Sequence, residues 1–283
     1  DFDHDYYFIG TPPNSRFSIL KKILKSKKIP IGILIEKPIT IANSKNIKEL
    51  KKILNLLEKK KIKIFCGYNH SVSPSFIEFM EHIKKMNKNK ILSIESNWNE
   101  TTKGILKAHS WLKNIYSSYL GDKNEGGGSI HEHSHGLHLF LYIINFLKLE
   151  LNGKKHVMKI LKSNKDKKHD YVSNIQFLSK DNIMFKVNAD FYTSPAEKNI
   201  KIQYENKRIE LHVSKQNNQD EIHYYNEGKL SKRIFKKTRK DDFTIEIKHI
   251  LSTINSMQYS LSPLNYNFAL KVVEFINRHK LND

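Results

Sequence analysis

The chain has 283 residues, of which 39% are hydrophobic and 11% aromatic, with a formal net charge of +20. This composition supports a packed core and excludes wholesale disorder. The single cysteine, Cys66, excludes an internal disulfide framework and fits a reducing, cytoplasmic location; no apolar run reaches the roughly 18–20 residues of a membrane-spanning helix.

The charge invites a nucleic-acid reading, but only five of the 49 basic residues are arginine. Specific base readout and bidentate phosphate recognition lean on arginine. The lysines are spread along the whole chain among Asn and Ile, as on a solvated surface. They predict salt-dependent, nonspecific attraction to polyanions rather than a specific nucleic-acid or membrane partner.

The chain opens at Asp1 without an initiator methionine and reaches a strand-like run almost at once, which is read as a missing N-terminal part. Tyr6-Tyr7-Phe8-Ile9 is a buried-strand signature ending at Gly10, followed by the turn residues Thr11-Pro12-Pro13-Asn14-Ser15. Ile19, Leu20, Ile23 and Leu24 then recur at helical spacing. A second strand, Ile31 to Ile35, ends in Glu36-Lys37-Pro38. A helix capped by Ser44 follows, with Ile47, Leu50, Leu54 and Leu57 on one face, and a third strand, Ile62 to Cys66, ends at Gly67. Strand–helix–strand–helix–strand is the rhythm of a parallel sheet with crossover helices.

Beyond residue 68 the rhythm changes. A helix is predicted over Phe76 to Met86, a strand over Ile91 to Trp98, an irregular functional stretch over Glu100 to Gly128 and one apolar helix over Ser129 to Phe146. Short alternating segments then run from Val157 to Tyr225 with turn chemistry between them, predicting an antiparallel sheet. Two helices close the chain. In the first, Phe243, Ile247, Ile250, Leu251 and Ile254 align; the second runs from Pro263 to Asn277. The fold class is therefore α/β: a partial Rossmann-like parallel sheet over 1–67, followed over 68–283 by an α+β domain with a large, mostly antiparallel sheet.

A parallel α/β unit binds ligands at the carboxyl ends of its strands. Two such ends are Gly10-Thr11-Pro12-Pro13-Asn14 and Glu36-Lys37-Pro38. The first also reads as a plain turn. Glu36-Lys37 also reads as a surface ion pair, although a lysine beside a cleft can work as an acid or base. A third element is the triple glycine Gly126-Gly127-Gly128 leading into a helix with His131, Glu132, His135 and His138. On one continuous helix the three histidines share a face and could hold zinc. Without further ligands no metal is expected, and catalytic or packing roles are the other readings.

In this order and spacing the motifs resemble the Gfo/Idh/MocA family of NAD(P)-dependent oxidoreductases. Thr11-Pro12 is similar to the family's strand-end turn, and Gly67-Tyr68-Asn69 with Pro74 to the segment opening its second domain. His109-Ser110-Trp111 with Tyr116 and Tyr119, and Glu132-His133-Ser134-His135, resemble segments of a subgroup serving bacterial surface-sugar pathways. Asn199-Ile200-Lys201-Ile202 through Ile209 resembles the late sheet segment, so the resemblance runs from Tyr6 to about Ile276.

The resemblance implies hydride transfer between NAD or NADP and a hydroxyl or carbonyl of a sugar or sugar nucleotide. Gly10, Thr11, Pro12, Pro13, Asn14, Glu36, Lys37 and Pro38 would line the cofactor. Lys37 would sit between nicotinamide and substrate, and His135, supported by Glu132, would relay the hydroxyl proton. Asn69, His109, Trp111 and Tyr119 would contact the sugar, Trp111 reading equally as a core residue. A homo-oligomer through the C-terminal sheet is implied. Against the family pattern, the G-x-G-x-x-G turn and the ribose-binding acid are missing, so the chain is read as an incomplete fragment, inactive without that part. Arg16, Ser71, Gly136 and His138 stand where the family or its subgroup has His, Arg, Glu and an acid. These departures motivate an alternative, a non-catalytic paralogue used for binding or assembly.

Overall fold

Three short apolar runs bounded by turn residues form a parallel sheet in the order β1 (Tyr6–Ile9), β2 (Gly32–Glu36), β3 (Lys63–Gly67). In this computed structural model, which describes residues 3–215 and 218–279, the crossovers are α1 (Arg16–Leu24) and α2 (Ser44–Lys59). The cap of α2 is Asn43, not Ser44: its side chain accepts from the Asn46 amide at 2.8 Å. Strand β2 is buried along its length, whereas β1 leaves Tyr6 and Phe8 exposed and buries only Ile9 fully. The reading of β1 as a buried strand is thus corrected, because it lies at the sheet edge. The far edge of β3 is covered by the C-terminal segment. The Cys66 amide donates to the Leu264 carbonyl (2.8 Å), and the Tyr259 hydroxyl bridges the amide and carbonyl of Ile64.

Helix α3 (Pro74–Lys84) leads to β4 (Ile91–Asn99). The stretch 100–128 is less irregular than expected. It holds α4 (Thr102–Ala108) and three 3-10 turns around a small core of Ile105, Ile115, Leu120 and Phe191. The predicted single helix is two, α5 (Ser129–Glu132) and α6 (Ser134–Leu147), broken at His133. The strands β5 (Gly153–Asn164), β6 (Lys167–Ser179), β7 (Met184–Asp190), β8 (Glu197–Tyr204), β9 (Lys207–Lys215), β10 (Gln219–Asn226) and β11 (Lys229–Lys236) complete an eight-stranded sheet. Its order is β11-β10-β9-β8-β4-β7-β6-β5, antiparallel throughout except for β4–β7.

Helices α7 (Arg239–Thr253) and α8 (Tyr266–Arg278) close the chain. Helix α8 packs on α6, α2 and β3, sinking Val272, Val273 and Ile276 completely. Each such side chain contributes about 1.5–3 kcal/mol on burial. One continuous core thereby joins both sheets. Helix α7 departs from its sequence pattern. Phe243, Ile247 and Leu251 are exposed, and the inward face is Asp242, Glu246, Ile250 and Thr253. The environment that receives it is charged, since buried Lys237 pairs with Asp220 at 3.0 Å and Asp242 at 2.9 Å. Among the described residues no helix is long and apolar enough to cross a membrane.

Candidate functional site

The carboxyl ends of β1, β2 and β3 carry Gly10-Thr11, Glu36-Lys37 and Gly67-Tyr68. Arg16, at the start of α1, ties the first two ends together. Its Nε donates to the Thr11 carbonyl at 2.9 Å, and one terminal nitrogen donates to the carbonyls of Glu36 (2.5 Å) and Pro38. The Lys37–Pro38 peptide is cis. Lys37 Nζ reaches across to the short helix α5. It donates to the Glu132 carbonyl at 2.6 Å and to Glu132 Oε2 at 3.0 Å, with side-chain exposures of only 13% and 11%.

The triple glycine makes that reach possible. A Cβ on Gly127 would lie 2.0 Å from the Tyr119 carbonyl oxygen, and one on Gly128 (φ +101°) 1.9 Å from Asp170 Oδ1. Only glycine fits where backbone and a buried carboxylate come this close. Asp170 then fixes the start of α5 by accepting from Ser129 Oγ (2.5 Å), the Ile130 amide (2.9 Å) and Ser173 Oγ (2.9 Å).

The break at His133 separates His131 from His135 and His138. His133 packs edge-on to Phe191. His135 turns toward Tyr68, His70 and Trp98, at ring-centroid distances of 5.5, 4.8 and 6.1 Å. His138 stacks on Tyr68 at 4.1 Å, with Nε2 3.0 Å from the Pro263 carbonyl. His131 is fully buried near Asp170. The shared zinc-binding face expected of one continuous helix is therefore not assembled, because the helix is interrupted.

Electrostatics sort these groups. Burial works to raise the Glu132 carboxyl, but Lys37, His133 and His109 together hold it below the usual range. Burial pushes Glu36 up against the opposing pull of Lys37 and Arg16. Burial drives the rings of His70 and His135 well below their ordinary value, with nearby Lys37 adding to the effect, so both are neutral at pH 7. Several buried polar atoms here have no hydrogen-bond partner: Thr11 Oγ1, Asn69 Oδ1, His70 Nδ1, Ser96 Oγ and His135 Nδ1. Unsatisfied buried polar atoms are costly, and a cluster of them at strand ends fits a polar ligand.

The structure thus brings together Lys37, Glu132 and His135, with Thr11, Glu36, Pro38 and Asn69 on the adjoining strand ends. Pro13 packs toward Gly126, while Gly10, Pro12 and Asn14 are exposed at the turn. Tyr119 and His109 lie within electrostatic reach of Glu132. Trp111 is 72% exposed, which overturns its reading as a core residue; it stands beside His109 at 5.1 Å. The sequence reading missed His70, Trp98 and Asp170. His70 directly follows Tyr68-Asn69 at a strand end, a position the strand-end rule flags; nothing local marks Asp170.

The chain thus joins a Rossmann-type parallel sheet to a large, mostly antiparallel sheet, with Lys37 paired to Glu132 at a strand end. Residues 1–68 match the family described as "Oxidoreductase family, NAD-binding Rossmann fold", Gfo/Idh/MocA. This bears out the resemblance drawn from the motifs and, at the level of the family, the expected nicotinamide cofactor. No match to a curated protein is found. Among solved structures, the chain is similar to the 3-ketoreductase KijD10 from Actinomadura kijaniata, in complex with NADP and TDP-benzene (TM-score 0.68, 10% identity, 97% of this chain and 78% of that one). It is also similar to the UDP-N-acetylglucosamine 3-dehydrogenase GnnA from Acidithiobacillus ferrooxidans (0.66, 12%, 98% and 78%). A third is an NAD binding oxidoreductase from Klebsiella pneumoniae (0.68, 12%, 98% and 78%). At these identities the likeness concerns the fold, and the expected fold class is borne out.

Proposed function

We propose that this chain serves an NAD(P)-dependent oxidoreductase acting on a hydroxyl or carbonyl of a sugar or sugar nucleotide. The observation that carries the reading is Lys37 at the end of β2, anchored by two hydrogen bonds to Glu132 beside the neutral, unpartnered His135 Nδ1. The orphaned Thr11 hydroxyl and the Gly10–Asn14 and Glu36–Pro38 strand ends fit the nicotinamide end of the cofactor. When bound, the nicotinamide supplies or accepts the hydride.

The protein's own residues handle the proton and the geometry. An ammonium has three donors, and Glu132 takes two of those of Lys37, leaving one to orient and polarise the substrate oxygen. His135, held neutral by burial, accepts the proton from the hydroxyl oxygen as hydride leaves the carbon that bears that hydroxyl. Asn69, His109, Trp111 and Tyr119 would offer the sugar hydrogen bonds and apolar faces. A role in bacterial surface-sugar metabolism, a cytoplasmic location and a homo-oligomer through the large sheet belong to the same reading. So does the division into a cofactor segment (1–67) and a substrate segment (68–283).

The test is turnover of UDP- and TDP-sugars by the full-length protein with NAD or NADP. Lys37→Ala and His135→Ala each abolish turnover; Lys37→Ala also lowers the unfolding midpoint, because it leaves the buried Glu132 carboxylate unpaired. Retained turnover in either overturns the assignment. The second reading, a non-catalytic paralogue, draws support from Arg16, Ser71, Gly136 and His138, all buried and packed or bonded within the protein. Cofactor binding by the full-length protein without turnover of any sugar nucleotide would favour it.

A further inference from the structure

The face of the large sheet turned away from the core carries a compact group of side chains that the strand-end site does not use. On β9, Arg208, Glu210 and His212 alternate with the core residues Ile209, Leu211 and Val213. On β10, Glu221 and His223 alternate with Ile222. The antiparallel register places Glu221 opposite His212 and His223 opposite Glu210. One ligand atom from each of Glu210, His212 and His223 lies within 4.8 Å of the other two. We propose that Glu210, His212 and His223 bind a divalent transition-metal ion of the zinc class, with Glu221 orienting the His223 ring.

Three features favour a metal site over cross-strand ion pairs alone. First, His223 Nε2 sits 2.6 Å from Glu221 Oε2, leaving Nδ1 directed to the Glu210 carboxylate at 4.0 Å. A ring anchored through one nitrogen by a carboxylate while the other faces the ligand group is the usual arrangement of a metal-binding histidine. Second, 4.0 Å exceeds a hydrogen bond, whereas His212 Nε2 to Glu210 Oε2 is 2.7 Å. Metal bonds of about 2.0–2.2 Å in a tetrahedron need ligand atoms about 3.3 Å apart. These two distances straddle that value, and the remaining pair, His212 and His223, lies within 4.8 Å, so side-chain rotation is needed to close the ligand set.

Third, the carboxylate is itself held, because the Arg208 guanidinium forms an ion pair with Glu210 Oε1 (Nε to Oε1 2.7 Å) and leaves Oε2 for the ion. Ligating carboxylates are commonly fixed in this way. Two imidazoles and one carboxylate select zinc, cobalt, nickel or copper over magnesium or calcium. With three protein ligands the fourth position goes to water.

The experiment is a cobalt(II) titration of the chelator-treated, full-length protein, followed by its visible spectrum and repeated with zinc as competitor. One equivalent is expected to bind in a four-coordinate environment. His212→Ala and His223→Ala abolish that equivalent, and Glu221→Gln weakens it about 10–100-fold. His156→Ala, on the opposite edge strand β5, leaves it intact. Unchanged stoichiometry in both ligand variants, or no binding by the wild type, overturns the proposal. Should a variant fail to fold, X-ray absorption of the zinc-loaded wild type decides. Two imidazoles with oxygen donors support the site; any other shell refutes it.

Discussion

Glu246 offers the sharpest test of the packing between α7 and the parallel sheet. Its side chain is 1% exposed, its Oε1 has no hydrogen-bond partner, and Glu36 and Asp242 lie close enough to oppose its charge. Burial, reinforced by those two carboxylates, pushes it from an ordinary 4.5 up to about 8. The folded chain therefore holds a proton that the unfolded chain releases near pH 4.5. Stability from this group is full below that pH and drains as pH rises to about 8, then levels off. Each pH unit in that window is worth ~1.4 kcal/mol, so the loss comes to about 5 kcal/mol, a large part of the stability of a single domain. Glu246→Gln keeps the shape and removes the titration. Urea unfolding of both proteins at pH 5, 6.5, 8 and 9 should show near-equal stabilities at pH 5. The glutamine variant should lead by several kcal/mol at pH 8 and above. A difference that stays flat with pH, or grows toward acid, refutes the burial argument.

Substitutions at three positions probe the scaffold of the strand-end site. Gly127→Ala drives a methyl to 2.0 Å from the Tyr119 carbonyl and should cost about 3 kcal/mol, the upper end for overpacking, in thermal or urea unfolding. Gly10→Ala, with no atom within 4 Å of the added methyl, should stay within about 0.5 kcal/mol. Arg16→Ala strips a charged donor from the carbonyls of Thr11, Glu36 and Pro38 and should cost about 3–5 kcal/mol. Arg16→Lys restores only part of this, because one ammonium cannot reproduce the fork; full restoration by lysine would contradict the stapling role.

The parallel sheet and the middle strands of the large sheet were legible because their apolar residues alternate or run together between turn residues. β5 and β11 were not: they read Gly-Lys-Lys-His-Val-Met-Lys and Lys-Leu-Ser-Lys-Arg-Ile-Phe-Lys, and edge strands need no consistent buried face. The break at His133 was hidden because the apolar pattern continues through it; the interruption comes from Asp170 and the tight glycine turn fixing α5 separately. The apolar stripe on α7 misled in the other direction, since the surface that receives the helix is charged. At the candidate site, Lys37, Glu132 and His135 followed from strand ends and the glycine turn. His70 and Trp98 join them only through tertiary packing. The cluster of Glu210, His212, Glu221 and His223 depends on the β9–β10 register, which no single strand encodes.

The lysine-rich outer strands of the large sheet bear on how these molecules meet one another. Among the described residues, β5 and β11 are the edge strands of the large sheet, and exposed Lys154, Lys155 and Lys162 line one while Lys229, Lys232, Arg233 and Lys236 line the other. Two copies approaching ladder to ladder bring cations together within the screening length of about 8 Å at physiological ionic strength. In 1 M salt that length falls to about 3 Å, and the repulsion fades. The excess positive charge at these edges thus opposes ladder-to-ladder association in dilute electrolyte and opposes it less in concentrated salt.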